Sequence, residues 1–103
     1  MEKRRPTYDL KSIKSAFSQV RSLGRATSAT AFRGAQEAGL SRTDMIEVIQ
    51  SLRTSDFYKS MTSYADPHIW QDVYHARFRG TQLYVKFTVQ PSGHYLLLSF
   101  KER

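Results

Sequence analysis

Side chains that can exchange protons alternate with apolar residues near the C-terminus. Tyr84 and Lys86 lie in one such segment, and Ser99 and Lys101 lie in the next. Side chains point alternately to the two faces of a strand, so each pair shares one face. If Ser92-Gly93 forms a two-residue turn, Tyr84 lies opposite Lys101 and Lys86 lies opposite Ser99. The sequence therefore predicts a tyrosine hydroxyl and two amines on one surface of a sheet.

The preceding segment adds an amide and an imidazole to this surface. With Arg79-Gly80 as a second two-residue turn, His75 lies opposite Tyr84, and Gln71 lies on the same face. The pairs that this register predicts are Gln71/Thr88, Val73/Lys86, His75/Tyr84 and Phe78/Thr81. On the resulting surface we expect amide, imidazole, phenol and amine groups, and no carboxylate.

This register also places Asp72 on the core side of its strand. Trp70 and Tyr74 point to the core side of the strand, and the carboxylate between them does the same. An unpaired buried carboxylate is costly, so we expect Asp72 to have a partner or to lie near the strand edge.

The opposite face of the last hairpin is apolar. This determines the register of the hairpin, because a shift of one residue would move the apolar side chains to the solvent side. The two-residue turn predicts the core pairs Val89/Leu96, Phe87/Leu98 and Val85/Phe100, with Pro91 opposite His94. It predicts Gln90/Tyr95 and Thr88/Leu97 on the polar side.

Lys, Tyr, Gln and His side chains suit a phosphate and a sugar better than a peptide or a glycoside. The chemistry that they suggest is metal-free RNA cleavage, in which the ribose 2′-OH attacks the adjacent phosphate. This reaction needs a proton acceptor, cations around the phosphate oxygens and a donor for the leaving 5′ oxygen. Lysine supplies the first two roles if its pKa is lowered, and tyrosine or histidine supplies the third.

The elements that must position these residues are helices followed by strands. Apolar spacing and capping residues predict three helices. The first lies near 9–20 and is followed by a break at 22–25. The second runs from Thr27 or Ser28 to Gly39, and the third begins after a capping box at Ser41. Extended segments follow at 57–64, 69–78, 82–90 and 94–101. This order predicts an α+β fold, with N-terminal helices packed on a C-terminal antiparallel sheet, in a single domain over residues 1–103.

Composition limits the possible partners and sites. Sixteen basic against nine acidic residues give a net charge of +7, which favours a polyanion such as nucleic acid or an acidic protein. The chain has no cysteine, no signal-like segment and no apolar run long enough to span a membrane, so we expect a cytoplasmic protein. No His or carboxylate pair has a spacing that predicts a metal site. The basic run Lys3-Arg4-Arg5 is interpreted as a solvated end.

The polar face of a sheet is often only solvent-exposed and has no catalytic role. Longer motifs bear on this alternative. They are the segment 55–64 (SDFYKSMTSY), the segment 69–74 (IWQDVY), the segment 83–86 (LYVK) and the ending 99–102 (SFKE). With these motifs the chain closely resembles the MqsR family, over nearly its whole length and most strongly from 55 to 103.

The resemblance implies a RelE-like toxin of a bacterial type II toxin-antitoxin system. It implies an mRNA interferase that cuts single-stranded RNA at GC-containing sites without the ribosome or a cofactor, and that a cognate antitoxin protein neutralises. The family's active-site residues correspond to Lys59, Gln71, Tyr84 and Lys101. We expect the two lysines to hold the phosphate, with one of them activating the 2′-OH, Tyr84 to donate a proton and Gln71 to position the nucleotide.

Four more residues are expected to bind RNA: Tyr58, His75, Arg77 and Lys86. His75 departs from the family, which carries arginine at this place, so its role is left open. The alternative function is a basic RNA- or protein-binding module of the same fold without catalysis.

Overall fold

The computed structural model describes residues 1–103 and shows an α+β fold, as predicted. The helices are α1 (Leu10–Ala16), α2 (Leu23–Ala26), α3 (Ala29–Glu37) and α4 (Arg42–Ser51). The strands are β1 (Glu2–Lys3), β2 (Phe57–Thr62), β3 (Trp70–Phe78), β4 (Thr81–Val89) and β5 (Tyr95–Glu102). They form one antiparallel sheet in the order β1-β2-β3-β4-β5, with the helices inserted between β1 and β2. None of the helices has the length and apolarity needed to cross a membrane.

Side-chain caps set the starts of the helices. Asp9 and Ser28 accept hydrogen bonds from the backbone N–H groups of Ser12 and Ala31, which begin α1 and α3. Ser41 and Asp44 form the predicted capping box at α4. The first helix ends at Ala16 rather than near residue 20.

The segment predicted as a break at 22–25 is partly helical. A 3₁₀ turn at Val20–Ser22 leads directly into α2. The chain then becomes extended at Thr27, which bridges to Leu97 in parallel orientation, and the Ser28 hydroxyl donates to the Leu98 carbonyl at 2.8 Å. These contacts cover the outer edge of β5, an edge that would otherwise present unpaired backbone groups.

The helices bury one face of the sheet. A cluster of 17 buried residues unites the apolar stripes of the helices with inward side chains of the strands, such as Phe17, Ile49, Phe87 and Phe100. Helix α3 lies so close to β5 that a Cβ atom added at Gly34 would be 2.2 Å from the Phe100 carbonyl oxygen. Glycine at this position is what allows the helix to reach the strand.

The β3–β4 hairpin has the predicted register. Phe78 pairs with Thr81, His75 with Tyr84 and Val73 with Lys86. Arg79 and Gly80 both have positive φ, of 50° and 83°, as a type I′ turn requires.

The β4–β5 hairpin follows its prediction only at the end far from the turn. The pairs Tyr84/Lys101, Val85/Phe100 and Lys86/Ser99 are confirmed. Nearer the turn the observed pairs are Phe87/Leu97, Thr88/Leu96 and Val89/Tyr95, with a bulge after Lys86. The five predicted pairs Val89/Leu96, Phe87/Leu98, Gln90/Tyr95, Thr88/Leu97 and Pro91/His94 are therefore wrong.

Proline explains this error. A two-residue turn would need an N–H group on Pro91 to close the hairpin, and proline has none. The Gln90 N–H group instead donates to the His94 carbonyl at 2.8 Å, and Gly93 has a φ of 89° in the longer turn. Leu97 is consequently buried in the core, whereas Leu98 falls in the bulge and is partly exposed.

Asp72 has the partner that its burial demands. Its carboxylate is fully buried and accepts hydrogen bonds from the backbone N–H groups of Thr7 and Tyr8 at 2.9 Å. Tyr74 lies in the core as predicted, whereas Trp70 is only partly buried, with the Lys3 ammonium 4.1 Å from its ring centroid. Asp72 thereby fastens the N-terminal segment across the sheet.

Candidate functional site

The sheet surface opposite the helices carries the predicted site residues, and we call it the polar face. Its members are Tyr58, Lys59, Gln71, His75, Arg77, Tyr84, Lys86 and Lys101. Strand pairing orders them in rows across the sheet. One row runs from His75 through Tyr84 to Lys101, and the next runs from Lys59 through Val73 to Lys86.

Tyr84 is at the centre of the polar face. The Lys101 ammonium lies 5.3 Å from its ring centroid and the Lys86 ammonium lies 6.0 Å away. The His75 ring is on the other side, at 6.2 Å between ring centroids. Two cations therefore border the ring of one partly buried tyrosine.

An aromatic stack borders this centre on the β2 side. Tyr58 stacks on His75 with ring centroids 4.1 Å apart and an angle of 19° between the rings. A bulge in β2 between Phe57 and Lys59 leaves Tyr58 without a partner in the ladder. Its ring is therefore free to lie over β3, where it stays exposed.

Lys59 lies beside this stack and has an acidic partner. Its ammonium donates to the Glu2 carboxylate at 2.5 Å and lies 5.4 Å from the Tyr58 ring centroid. The hydrogen bond to Glu2 raises the pKa of Lys59, and the same contact lowers the pKa of Glu2. The expectation of a surface without carboxylates is wrong, because β1 brings Glu2 to the polar face opposite Met61.

The other titratable groups of the polar face are shifted mainly by burial. Burial raises the pKa of Tyr84, so its hydroxyl is protonated at neutral pH and can donate. Burial lowers the pKa of His75, with smaller contributions from Arg103 and Lys59, so its ring is neutral at pH 7. Burial and the nearby charges of Lys101 and Lys59 lower the pKa of Lys86.

Gln71 and Arg77 are the first and last residues of β3 on the polar face. Gln71 is opposite Met61 and partly buried, whereas Arg77 is opposite Gln82 and exposed. No hydrogen bond joins either side chain to the central residues. The strand pairing and the stack of Tyr58 on His75 thus place all eight predicted residues on one face, with five of them around Tyr84 and these two flanking it.

Sequence reasoning missed the contribution of the N-terminus. Glu2 and Lys3 form β1, and Arg4 donates to the Tyr58 carbonyl at 3.4 Å, so the interpretation of Lys3-Arg4-Arg5 as a solvated end is wrong for its first two residues. A two-residue strand has no periodicity to detect. The only signal was the alternation of charges in Glu2-Lys3, which is too short to interpret.

The polar face is open rather than concave. The larger of two cavities, of about 870 Å³, lies on the other side of the sheet between the segment 6–14 and the residues after α4, and the second lies near the β4–β5 turn. No group of three His, Cys, Asp or Glu side chains is placed to hold a metal ion. An open cationic surface with an exposed aromatic ring suits an extended polymer better than a small enclosed ligand.

Comparison with known proteins gives two findings. Residues 5–102 match the model of a family described as "Motility quorum-sensing regulator, toxin of MqsA". The chain is also 45% identical to the mRNA interferase toxin MqsR of Escherichia coli (strain K12) over 105 aligned positions, which cover the whole of both chains.

Proposed function

The chain belongs to the MqsR toxin family, and we propose that it is a metal-independent endoribonuclease that cleaves mRNA. The observation that carries this proposal is the row from His75 through Tyr84 to Lys101, with Lys59 and Lys86 in the adjacent row. The two rows together supply a protonated hydroxyl among three ammonium groups. These are the groups needed to cleave RNA by attack of its own 2′-OH.

The scissile phosphate binds over Tyr84, between Lys59 and Lys101. An ammonium group has three N–H donors, so Lys59 keeps two for phosphate oxygens while Glu2 accepts one. Both lysines neutralise charge that grows on the phosphate oxygens as the 2′ oxygen attacks. Gln71 contacts the nucleotide on one side of the cut through its amide.

Cleavage breaks the bond between phosphorus and the 5′ oxygen. The 2′-OH loses its proton as its oxygen bonds to phosphorus, and the 5′ oxygen gains a proton as it leaves. Tyr84 donates that proton, because burial keeps its hydroxyl protonated at neutral pH. The products are a 2′,3′-cyclic phosphate and a 5′-OH end, with no water consumed in the step.

The flanking residues bind the RNA strand. Tyr58 is exposed and already stacked on His75, so an unpaired base can extend this stack. Arg77 and Lys86 continue the positive charge along β3 and β4. The neutral ring of His75 stacks on Tyr58 and does not bind a phosphate. This role accounts for a histidine at the position where the resemblance implies an arginine.

The proposal also covers specificity and partners. We propose that the cut sites contain GC, that no ribosome is needed and that a cognate antitoxin protein neutralises the activity. Expression of the chain alone in bacteria should arrest growth, and coexpression of the antitoxin should restore it. A binding module without catalysis would not need the second protein.

The direct test uses purified protein, EDTA, no ribosomes and one defined mRNA, followed by mapping of the new 5′ ends. We expect discrete cuts at a short motif with the native chain and none with Lys101→Ala. Lys101 is exposed, so its truncation should leave folding intact. The matched control is Lys11→Ala on α1, which is also exposed and should cut normally. Bound but uncut RNA would favour the binding-module alternative.

A further inference from the structure

We propose that Lys86 is the group that removes the proton from the attacking 2′-OH. The inference rests on the proposed ribonuclease function and assigns its missing proton acceptor. It changes the expected role of Lys86 from RNA binding to catalysis, and it leaves Lys59 and Lys101 to bind the phosphate.

The position of Lys86 is suited to this role. Lys86 lies on β4, with Val73 as its neighbour on β3 and Ser99 as its neighbour on β5. Val73 is fully buried although it belongs to the polar face, so the aliphatic stem of Lys86 packs in a covered part of the sheet. Its ammonium lies 6.0 Å from the Tyr84 ring centroid, within the same small area as Lys101.

The charges around Lys86 are almost all positive. Lys59 faces it from β2 and Lys101 faces it from β5, while Tyr84 and His75 contribute no charge at neutral pH. The carboxylate on this face, Glu2 from β1, is bound to Lys59. No ion pair holds Lys86, whereas one does hold Lys59.

This environment distinguishes the two lysines. Burial and two neighbouring ammonium groups lower the pKa of Lys86, so a larger share of it is neutral and able to accept a proton. The hydrogen bond to Glu2 raises the pKa of Lys59, which therefore stays charged. A charged lysine binds phosphate well but cannot act as a base.

The proton balance of the step closes with Tyr84 as the partner. Neutral Lys86 takes the 2′-OH proton as the bond from the 2′ oxygen to phosphorus forms, and becomes an ammonium. The bond from phosphorus to the 5′ oxygen breaks, and the leaving oxygen takes the Tyr84 proton. Transfer of the extra proton from the Lys86 ammonium to the Tyr84 oxygen, directly or through solvent, restores both groups.

The test compares native protein with Lys86→Arg in single-turnover cleavage of a short RNA across a range of pH. Arginine keeps the positive charge but cannot release its proton. We expect Lys86→Arg to cleave at least about 100-fold more slowly, which is the usual contribution of a general base. Binding of an uncleavable oligonucleotide with a 2′-deoxyribose at the cut should change by less than about threefold, since Lys59 and Lys101 still bind the phosphate.

The pH profile gives the second readout. The native rate should rise about tenfold per pH unit and level off below the ordinary lysine pKa, because only neutral Lys86 acts. Lys86→Arg should lose this rise. The control Lys11→Arg on α1 should keep the native rate and profile. Urea unfolding of each variant checks that the fold is retained.

A substrate with sulfur in place of the leaving 5′ oxygen separates base from acid. Sulfur leaves without a proton, so this substrate should restore the rate of Tyr84→Phe but not that of Lys86→Arg. Equal cleavage by native protein and Lys86→Arg, or rescue of Lys86→Arg by sulfur, would overturn the assignment while the ribonuclease function stands. Absence of cleavage by native protein would instead refute the proposed function and this inference with it.

Discussion

Gly34 determines how closely helix α3 approaches the strand that carries Lys101. In Gly34→Ala the new Cβ atom would be 2.2 Å from the Phe100 carbonyl oxygen and 3.0 Å from the Lys101 Cβ atom. Carbon needs more than 3 Å from such an atom, so the helix and the strand would have to separate by roughly 1 Å. The first of these contacts is strand backbone, which cannot rotate away as a flexible side chain would.

The expected cost follows from two opposing effects. Overpacking a tight site costs about 1 to 3 kcal/mol, and we expect the upper end because the clash is with backbone. Alanine regains about 1 kcal/mol over glycine in a helix. The free energy of unfolding should therefore fall by about 2 kcal/mol, which lowers the melting temperature by about 8 to 16 °C in a domain of this size.

Urea and thermal unfolding monitored by circular dichroism measure this change. The matched control is Gly24→Ala in α2, where no atom lies within 4 Å of the added Cβ. The control should be as stable as the native chain or slightly more stable. If Gly34→Ala unfolds at the same urea concentration as Gly24→Ala, the close packing of α3 on β5 is not a constraint and the reasoning fails.

Three further substitutions test other contacts of the site and its support. Asp72→Asn removes the buried charge that accepts two backbone N–H groups and should lower the free energy of unfolding in urea by about 2 kcal/mol; an unchanged urea midpoint would contradict this. Tyr58→Ala should weaken binding of an uncleavable RNA by about 1 to 3 kcal/mol through loss of one stacked base, with the single-turnover rate at saturation unchanged. A slower saturated rate would instead place Tyr58 in the chemical step. Glu2→Gln removes the negative charge that offsets the Lys59 ammonium, so RNA should bind more tightly and the slope of log affinity against log salt should steepen by about 0.7. An unchanged salt dependence would mean that the Glu2 charge does not offset Lys59 in RNA binding.

The sequence predicted the centre of the polar face correctly, because the alternation of side chains along a strand and the register of one two-residue turn are enough to place these residues. Arg79-Gly80 favours a two-residue turn, and its register carries His75 to Tyr84 without interruption. The pair Tyr84/Lys101 was also correct, although the turn that led to it was wrong. The bulge after Lys86 absorbs the change in turn length, so the pairing beyond it is the same.

The errors arose where backbone irregularity decides the structure. Pro91 lacks the N–H group that would close a two-residue turn, and this shifts Leu97 to the core. The bulge at Tyr58 and the two-residue strand that brings Glu2 to Lys59 leave no periodic pattern in the sequence. The electrostatic difference between Lys59 and Lys86 therefore becomes visible only once the N-terminus is placed on the sheet.

In the proposed reaction the polar face cleaves RNA through the 2′-OH of the substrate. The most direct measurement uses an oligoribonucleotide that contains one mapped cut site, in EDTA, with mass spectrometry of the products. Attack by the 2′-OH predicts a 2′,3′-cyclic phosphate and a 5′-OH end, and no cleavage when the ribose before the cut is replaced by 2′-deoxyribose. Cleavage of the deoxy substrate, or products that end in a 3′-OH, would contradict this mechanism.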